Sequence, residues 1–483
     1  MSETPDSAKP TLRESTIKGG IYLVGRHAFS VVLKLIGVLL ITRFLGPSDY
    51  GAYVSAYAIY QYSYLLGQAG VSVYLLRLPE EPDTKLWKSS YSILLLNGLF
   101  LLALIHILSG YIGDYTGIEK TPDIIRILAF ALPFTLMTFP ALAKLERALN
   151  YKAVAMVEIF AQLGFYIVAV PLVLTGFGPK ALAVSWLTQE VFAFALAHYL
   201  CRSLPSFGWD GAWVRTIVRY ALHFCLGNWI WSMRMLVNPL VVAPVMGAKV
   251  VGLIGLTVGI LEMLSIIKTV TWRISLVVLG KLQDAPEKMR RGVTEAMELQ
   301  TFSVGVILLG FGWFGSIPVR LVFGEQWLPV MDYYPYIALG YLTVATFNAH
   351  SALLSAIDKN LDLAAFTATH ILLFAATTWV TIRVVGPIGY GYGELAGLLA
   401  YLVAHALVTR HIGSPNYRVT AIWWCGVAVG LFWKELGVWA IAVPFLALAT
   451  PPSRKALGYY IGIMRKKRSA RTPVTDTPGE AVS

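Results

Sequence analysis

The chain has 483 residues, of which 57% are hydrophobic and only 14% are charged, and its mean hydropathy is +0.64. Soluble domains average roughly 25% charged residues, so this composition excludes a soluble globular protein and indicates a membrane protein. The formal net charge of +12 does not require a nucleic-acid partner, because most basic residues flank the apolar segments. Three scattered cysteines, Cys201, Cys225 and Cys425, exclude a disulfide framework and a cysteine metal site.

Twelve apolar stretches have the length that an α-helix needs to cross a membrane, about 20 residues. In chain order, the predicted helices are 20–44, 51–78, 88–112, 122–147, 152–175 and 178–201, followed by 219–245, 250–280, 292–317, 329–356, 360–385 and 389–410. The stretch 419–450 is apolar except at Lys434 and Glu435, and it predicts a further hairpin. The expected fold class is therefore an all-α polytopic membrane protein with twelve helices plus a C-terminal hairpin, fourteen in total.

The same segmentation gives the domain organisation. We expect an N-terminal tail, a six-helix bundle, an interfacial amphipathic linker, a second six-helix bundle, a transmembrane hairpin and a basic tail, over residues 1–19, 20–202, 203–218, 219–410, 411–452 and 453–483. Lys and Arg concentrate in the segments on one side of the helices. Because inner loops are enriched in basic residues, both termini are expected in the cytoplasm.

A short pattern occurs twice, as RFLGPSDYGAY at 43–53 and as MGAKVVGLI at 246–254. A shift of 201 residues aligns Gly46 with Gly247 and Gly51 with Gly252. Chance apolar similarity is the alternative, but the match favours a duplication, which predicts a parallel pseudo-two-fold repeat with its axis along the membrane normal. Gly46 and Pro47 are expected to end one helix, and Gly51 to let the next begin after a tight turn; Gly247 and Gly252 would do the same in the second half.

Seven basic residues remain inside the predicted spans once those assigned to the inner and outer segments are set aside, and all but Arg126 lie on the first, seventh and eighth helices. They are Arg26, Lys34, Arg43, Arg126, Arg234, Lys268 and Arg273. An Arg or Lys at a helix centre costs roughly 2.5–3.5 kcal/mol, so these helices should face water or paired charge. The alternatives are snorkelling towards the headgroups and, for Arg234, pairing with Glu262. An excess of cations favours an anionic substrate group such as phosphate.

Acidic and histidine residues in or near the predicted spans are candidate coupling or gating groups for a proton or sodium gradient: Glu158, Glu190, His198 and Glu262. Satisfied interior polar residues are the alternative. The sequence contains no GxxxxGK[ST] phosphate loop, no HExxH, no GxSxG and no CxxC. We therefore expect no cofactor, no metal and no built-in nucleotide hydrolysis.

Two stretches carry a family resemblance. ITRFLGPSDYGAYVSAYAIYQY, continuing through LLGQAGVSVYLLR, and FGEQWLPVMDYYPYIALGYL at 323–342 resemble Wzx-type polysaccharide flippases of the multidrug/oligosaccharidyl-lipid/polysaccharide (MOP) exporter superfamily. The resemblance, over about residues 15–410, implies a V of two six-helix bundles around a cationic cavity lined mainly by helices 1, 2, 7 and 8. It implies alternating-access movement of an undecaprenyl-pyrophosphate-linked oligosaccharide from the inner to the outer leaflet of the plasma membrane of a bacterium (the inner membrane), for O-antigen, capsule or exopolysaccharide synthesis.

The substrate-binding residues expected on this basis are Arg26, Lys34, Arg77, Arg234, Lys268 and Arg273, with Arg77 at the inner mouth. The expected partners are the lipid-linked oligosaccharide, the bilayer, and a polysaccharide polymerase with chain-length machinery. Three alternatives stay open. A lipid II flippase is poorly separated by sequence, a multidrug exporter should have a net acidic cavity, and a membrane glycosyltransferase, polymerase or ligase should carry a large outer loop.

Overall fold

The structure is a computed structural model that describes residue 37 and residues 43–469. This part of the chain is helical and contains no strand, which confirms the all-α fold class. Its α-helices of seven or more residues are Pro47–Gln68, Val71–Arg77, Thr84–Thr116, Thr121–Ala129, Ala131–Arg147, Tyr151–Leu174, Lys180–Cys201, Gly211–Ser232, Ala243–Leu264, Ile267–Gly280, Pro286–Phe314, Val330–Thr346, Asn348–Ala356, Asn360–Val385, Gly389–Gly397, Ala400–Ile412, Arg418–Leu431, Ala442–Ala449 and Pro451–Ser469.

Within the described residues, eight helical stretches are long and apolar enough to cross a membrane. They are Thr84–Thr116, Thr121–Arg147, Tyr151–Leu174, Lys180–Cys201, Cys225–Leu264, Pro286–Phe314, Val330–Ala356 and Asn360–Ile412. The last of these turns back on itself, because Gly386 (φ 72°) ends one helix and Gly389–Gly397 packs against Asn360–Val385. The chain is thus a multi-pass membrane protein, while the count of twelve plus two and the two-fold repeat stay predictions.

Several helix boundaries differ from the sequence prediction for local reasons. A helix starts at Gly211, inside the predicted linker, because the Asp210 carboxylate accepts hydrogen bonds from the backbone N–H groups of Ala212 and Trp213 at 3.0 and 3.3 Å. Another starts at Pro47 and not at 51, since proline is well tolerated in the first turn of a helix. The predicted helix 250–280 is interrupted between Leu264 and Ile267.

The two glycine patterns contact each other. A Cβ atom at Gly51 would lie 1.8 Å from the carbonyl oxygen of Ala248, and one at Gly252 would lie 2.0 Å from the carbonyl oxygen of Pro47. Ala248 corresponds to Pro47 under the same 201-residue shift that relates the two glycines, so the contact is reciprocal. Only glycine permits this backbone approach.

The role expected for these glycines therefore needs correction. Gly51 and Gly252 lie inside helices and not in the turns, so they serve the close packing just described. Gly46 is the N-cap residue of the helix that begins at Pro47, with φ −68°. Gly247 has φ 72° and ψ −178° and interrupts the helix, so it does supply the predicted break in the chain.

The described residues divide into two compact units. The first comprises the residues up to Met263 together with Phe314–Ile337 and Asp358–Ala404; the second comprises Leu264–Trp313, Ala338–Ile357 and the residues from His405 onwards. In the first unit, a fully buried apolar cluster ties its early helices together through residues such as Leu75, Leu86, Leu94 and Leu136. The organisation into two six-helix bundles stays a prediction.

The C-terminal region of the second unit forms a helical hairpin followed by a further helix. Arg418–Leu431 packs against Ala442–Ala449, and Gly437 (φ 101°) lies in the connection. The residues after Ser453, expected as a basic tail, instead continue a helix that extends to Ser469. This helix is held by the Tyr460 hydroxyl, which donates a 2.6 Å hydrogen bond to the Glu298 carboxylate. No helix was predicted here because the segment is polar and lacks the apolar length by which the other helices were predicted.

Candidate functional site

One face of the Pro47–Gln68 helix is covered with tyrosines. Their positions recur every three or four residues, which is the spacing of side chains along one face of an α-helix. The face consists of Tyr50, Tyr53, Tyr57, Tyr60 and Tyr64, with Gln61 beside them. Tyr53 and Tyr57 are stacked with ring centroids 5.4 Å apart. Tyr57 and Tyr60 also stack, with centroids 6.1 Å apart, so the five rings form an aromatic wall that is in ring contact from Tyr53 to Tyr60.

This wall borders a cavity of about 630 Å³ within the first unit. The helices Tyr151–Leu174 and Lys180–Cys201 supply the opposite side, including Phe165, Tyr166 and Trp186. The Trp186 ring packs edge-on against Tyr57, with centroids 4.9 Å apart. Such a volume lies within the roughly 300–1,000 Å³ range typical of small-molecule sites.

A small set of polar groups reaches the same cavity. Among its lining residues are two carboxylates, Glu158 and Glu190, and three amides, Gln61, Gln162 and Gln189. Glu158 is exposed, whereas Glu190 is buried and accepts a hydrogen bond from Gln189 Nε2 at 3.2 Å. The described lining residues include no Lys or Arg. The cavity thus offers aromatic faces, neutral donors and acceptors, and two acidic groups, and it brings together two of the predicted coupling residues.

Arg234 lies elsewhere in the first unit and forms a buried ion pair. Its Nη2 atom is 2.5 Å from Oε1 of Glu394, and the two side chains are 14% and 1% exposed. The guanidinium also lies over the rings of Trp231 and Phe374, at 6.0 and 5.7 Å from their centroids. Pairing and aromatic contact together offset the cost of holding a cation in an apolar span.

Glycines let the helix that carries Glu394 approach its neighbour. A Cβ atom at Gly393 would lie 1.9 Å from Thr378 Oγ1, and one at Gly397 would lie 2.9 Å from Cε1 of His370. The His370 ring is buried, and its Nδ1 atom is 3.0 Å from the carbonyl oxygen of Gly397. The sequence GYGYGELAG at 389–397 therefore combines close helix packing with one buried carboxylate.

The remaining predicted basic residues have separate surroundings. Arg77 donates a 3.2 Å hydrogen bond to the Tyr220 hydroxyl in the first unit. In the second unit, Lys268 Nζ lies 4.2 Å from the ring centroid of Tyr341, and Arg273 on the same helix is exposed. Arg26 and Lys34 lie outside the described residues. A shared cationic site therefore stays a prediction.

The other two coupling candidates do not line the cavity described above. His198 is buried, with Nε2 3.1 Å from the Tyr91 hydroxyl and Nδ1 2.8 Å from the carbonyl oxygen of Phe194. Glu262 is exposed near the end of the Ala243–Leu264 helix. The described residues contain no group of three or more His, Cys, Asp or Glu side chains arranged to hold a metal ion.

Two features of the site were missed in the sequence. Glu394 was overlooked as the partner of Arg234, although a carboxylate within an apolar span is itself a signal of function. The tyrosines were read as part of a family pattern, and their helical spacing, which predicts one aromatic face, was not used.

Comparison with protein families decides where the chain belongs. Residues 40–332, more than half of the chain, match the family described as polysaccharide biosynthesis protein. The chain belongs to this family. One relative of the chain is the lipopolysaccharide biosynthesis protein WzxC of Escherichia coli (strain K12). It is 22% identical over 86% of this chain and 85% of its own length.

Solved structures share the fold of this polysaccharide biosynthesis family member. The lipid II flippase MurJ in an inward closed conformation matches with a TM-score of 0.67 and 13% identity, over 89% of this chain and 97% of its own. An inward-facing multidrug resistance MATE family transporter of the MOP superfamily matches with a TM-score of 0.66 and 12% identity, over 79% and 94%. The family match and the WzxC relative confirm the resemblance to Wzx-type proteins. The chain shares its fold with a flippase and with a transporter of the MOP superfamily, in agreement with the expectation of a transporter and not an enzyme.

Proposed function

We propose that the chain moves an undecaprenyl-pyrophosphate-linked oligosaccharide from the inner to the outer leaflet of the bacterial inner membrane. Its product would feed synthesis of an O-antigen, a capsule or an exopolysaccharide, with a polymerase and chain-length machinery as downstream partners. The observation that carries the proposal is the family match over residues 40–332 in a chain built of membrane-length apolar helices. The WzxC relative, itself named for lipopolysaccharide biosynthesis, supports the same substrate class.

Translocation would proceed by alternating access, with both termini in the cytoplasm. The diphosphate would be bound by Arg234 with the other predicted basic residues, Arg77 would lie at the inner mouth, and the lipid tail would stay in the bilayer. In the structure, the Arg234 guanidinium forms an ion pair with the Glu394 carboxylate. A diphosphate can compete for the same N–H donors, because guanidinium groups bind phosphate and carboxylate oxygens in the same bidentate manner.

A proton or sodium gradient would supply the driving force. Glu158 and Glu190 support this part of the proposal because both line one cavity inside the first unit. Ionisable groups within a membrane span are expensive to place there and mark ion pathways in many transporters.

One observation favours a second candidate function, the export of organic cations. The described lining of the cavity has two carboxylates, several aromatic rings and no Lys or Arg, which also suits a cation. The sequence analysis argued against this function from the basic residues on other helices. Family membership favours the polysaccharide precursor.

Deletion of the gene tests the proposed function. We expect lipid-linked oligosaccharide to accumulate on the cytoplasmic leaflet, and mass analysis should identify a complete repeat unit. Accumulation of lipid II would instead assign the chain to peptidoglycan precursor transport. Normal translocation, with unpolymerised units outside, would contradict the proposal and place the function at a later enzymatic step.

A further inference from the structure

We infer that the tyrosine-lined cavity of the first unit is a saccharide-binding site that holds sugar rings of the translocated oligosaccharide. This inference rests on the proposed function and adds to it a specific location for the sugars. The location is distinct from the Arg234 pair, which we assign to the diphosphate.

The aromatic wall provides the first part of the argument. Tyr53, Tyr57 and Tyr60 follow one another along one helix face with centroid separations of 5.4 and 6.1 Å. A pyranose ring has a face of C–H bonds that carry partial positive charge, and the face of an aromatic ring is electron-rich. Tyr50, Tyr57 and Tyr64 of this face are half-buried and line the cavity, so more than one ring along the helix can contact a sugar unit. Tyr53 and Tyr60 are buried and support the ring of Tyr57.

The polar groups provide the second part. Gln61, Gln162 and Gln189 each carry both a donor and an acceptor, so each amide can pair with a sugar hydroxyl in either direction. Glu158 and Glu190 are acceptors when ionised and can each take hydroxyl donors. Neutral amides outnumber carboxylates in this set, which is the balance that a neutral polyhydroxylated ligand requires.

The charge of the lining separates the sugar from the diphosphate. No Lys or Arg is among the described lining residues, so this part of the lining offers no cation to offset a diphosphate, and its two carboxylates, when ionised, would repel one. An organic cation is the competing ligand class, because aromatic rings and carboxylates also bind cations. The three amides favour the sugar, since a quaternary cation makes no use of hydrogen-bond donors.

Direct binding tests the inference. The probe is the soluble oligosaccharide released by mild acid from the lipid-linked pool of the deletion strain, titrated calorimetrically into the full-length chain in lipid nanodiscs. Tyr57→Leu removes a ring that contacts Tyr53, Tyr60 and Trp186, and Gln162→Leu replaces an amide with an apolar side chain. Tyr62→Leu is the matched control, because Tyr62 is on the same helix but does not line the cavity.

We expect Tyr57→Leu and Gln162→Leu each to weaken oligosaccharide binding about tenfold, and Tyr57→Phe, which keeps the ring, to remain close to wild type. Tyr62→Leu should bind like wild type. Equal binding of the oligosaccharide by all variants would overturn the inference. It would also be overturned if the chain bound tetraphenylphosphonium in a way that depends on Tyr57 and did not bind the oligosaccharide. Gln162→Leu keeps the test valid should Tyr57→Leu fail to fold.

Precursor translocation, measured in vesicles that contain the same proteins, separates this inference from the proposed function. Suppose that the wild-type chain translocates the precursor, and that Tyr57→Leu and Gln162→Leu bind the oligosaccharide and translocate the precursor equally well. This result would overturn only the saccharide site. A wild-type chain that does not translocate the precursor would overturn the proposed function, whatever the binding results.

Discussion

Among individual residues, Arg234 and Glu394 are the most constrained by their surroundings. The Glu394 side chain is buried and that of Arg234 is 14% exposed, and their charged atoms are 2.5 Å apart. The rings of Trp231 and Phe374 pack against the guanidinium. Removing one partner of a buried ion pair leaves an uncompensated charge, which typically destabilises by about 3–5 kcal/mol. Stability and transport can therefore be separated at this pair by changing both residues.

Arg234→Ala should lower export while the protein still inserts into the membrane, and it should also lower thermal stability because Glu394 loses its partner. The double variant Arg234→Ala/Glu394→Gln should recover most of that stability, since the remaining group is neutral, but export should stay several-fold reduced. Export and the unfolding temperature in detergent are measured side by side. Arg383→Ala is the control, because Arg383 is exposed, and its hydrogen bond and its ring contact are both to Trp379, one helical turn earlier. Unchanged export in Arg234→Ala would remove this residue from the site.

Substitutions of Glu190 and Glu158 test the proposal that an ion gradient drives export. We expect Glu190→Gln to insert normally and to lose the dependence of export on an ion gradient, because the amide cannot carry or release an ion. Export is measured after the proton and sodium gradients are collapsed one at a time. Glu158→Gln is compared with it, and Glu119→Gln, at an exposed loop position, is the control. A Glu190→Gln variant with the wild-type response to both gradients would exclude Glu190 as the coupling group.

At the scale of elements, the reciprocal contact of Gly51 and Gly252 brings two helices together backbone to backbone. The contact joins residues that are 201 positions apart in the sequence in two symmetric pairs. This local symmetry supports the duplication that the glycine pattern predicted.

Gly51→Ala and Gly252→Ala should each destabilise the protein by about 1–3 kcal/mol, because the added Cβ would overlap a carbonyl oxygen and force the helices apart. Gly259→Ala is the matched control, since it changes the same residue type on the Ala243–Leu264 helix and its Cβ would meet no atom within 4 Å. Thermal unfolding in one detergent compares the three. The double variant should cost less than the sum of the singles because both changes strain one contact. Equal unfolding temperatures for Gly51→Ala and Gly259→Ala would contradict this packing role.

Sequence patterns predicted the helices better than their ends. Apolar length identified stretches such as Thr84–Thr116 and Pro286–Phe314 because the bilayer imposes length directly. The start at Gly211 depended on one side chain, Asp210, whose capping bonds cannot be read from hydropathy. The helix Pro451–Ser469 was missed because tertiary contacts, including Tyr460 to Glu298, hold a polar segment in place.

For the candidate site, as for the helices, some features could be predicted from local sequence and others depended on tertiary contacts. Charge within apolar spans pointed to Arg234 and to Glu190, because an ionisable group is expensive there wherever it lies. Its partner Glu394 lies 160 residues further along the chain. Such a pairing is set by the fold and leaves no local signal. The tyrosine face, in contrast, was present in the helical spacing and could have been predicted.

At the scale of the whole molecule, a multi-pass membrane protein of the polysaccharide biosynthesis family combines an aromatic, acidic cavity with a separate buried arginine. The head group of a lipid-linked oligosaccharide has two chemically different parts, the sugars and a diphosphate. We propose the cavity for the sugars and Arg234 for the diphosphate. Family membership is the reason that we favour the precursor over an organic cation.

Transfer of the purified precursor across a synthetic bilayer tests this account most directly. The full-length chain is reconstituted into vesicles with the lipid-linked oligosaccharide from the deletion strain, and the sugars that reach the opposite leaflet are detected with a membrane-impermeant lectin or enzyme. We expect transfer well above that in protein-free vesicles, and we expect Arg234→Ala to reduce it several-fold. Transfer no faster than in protein-free vesicles, with active efflux of tetraphenylphosphonium by the same preparation, would contradict it.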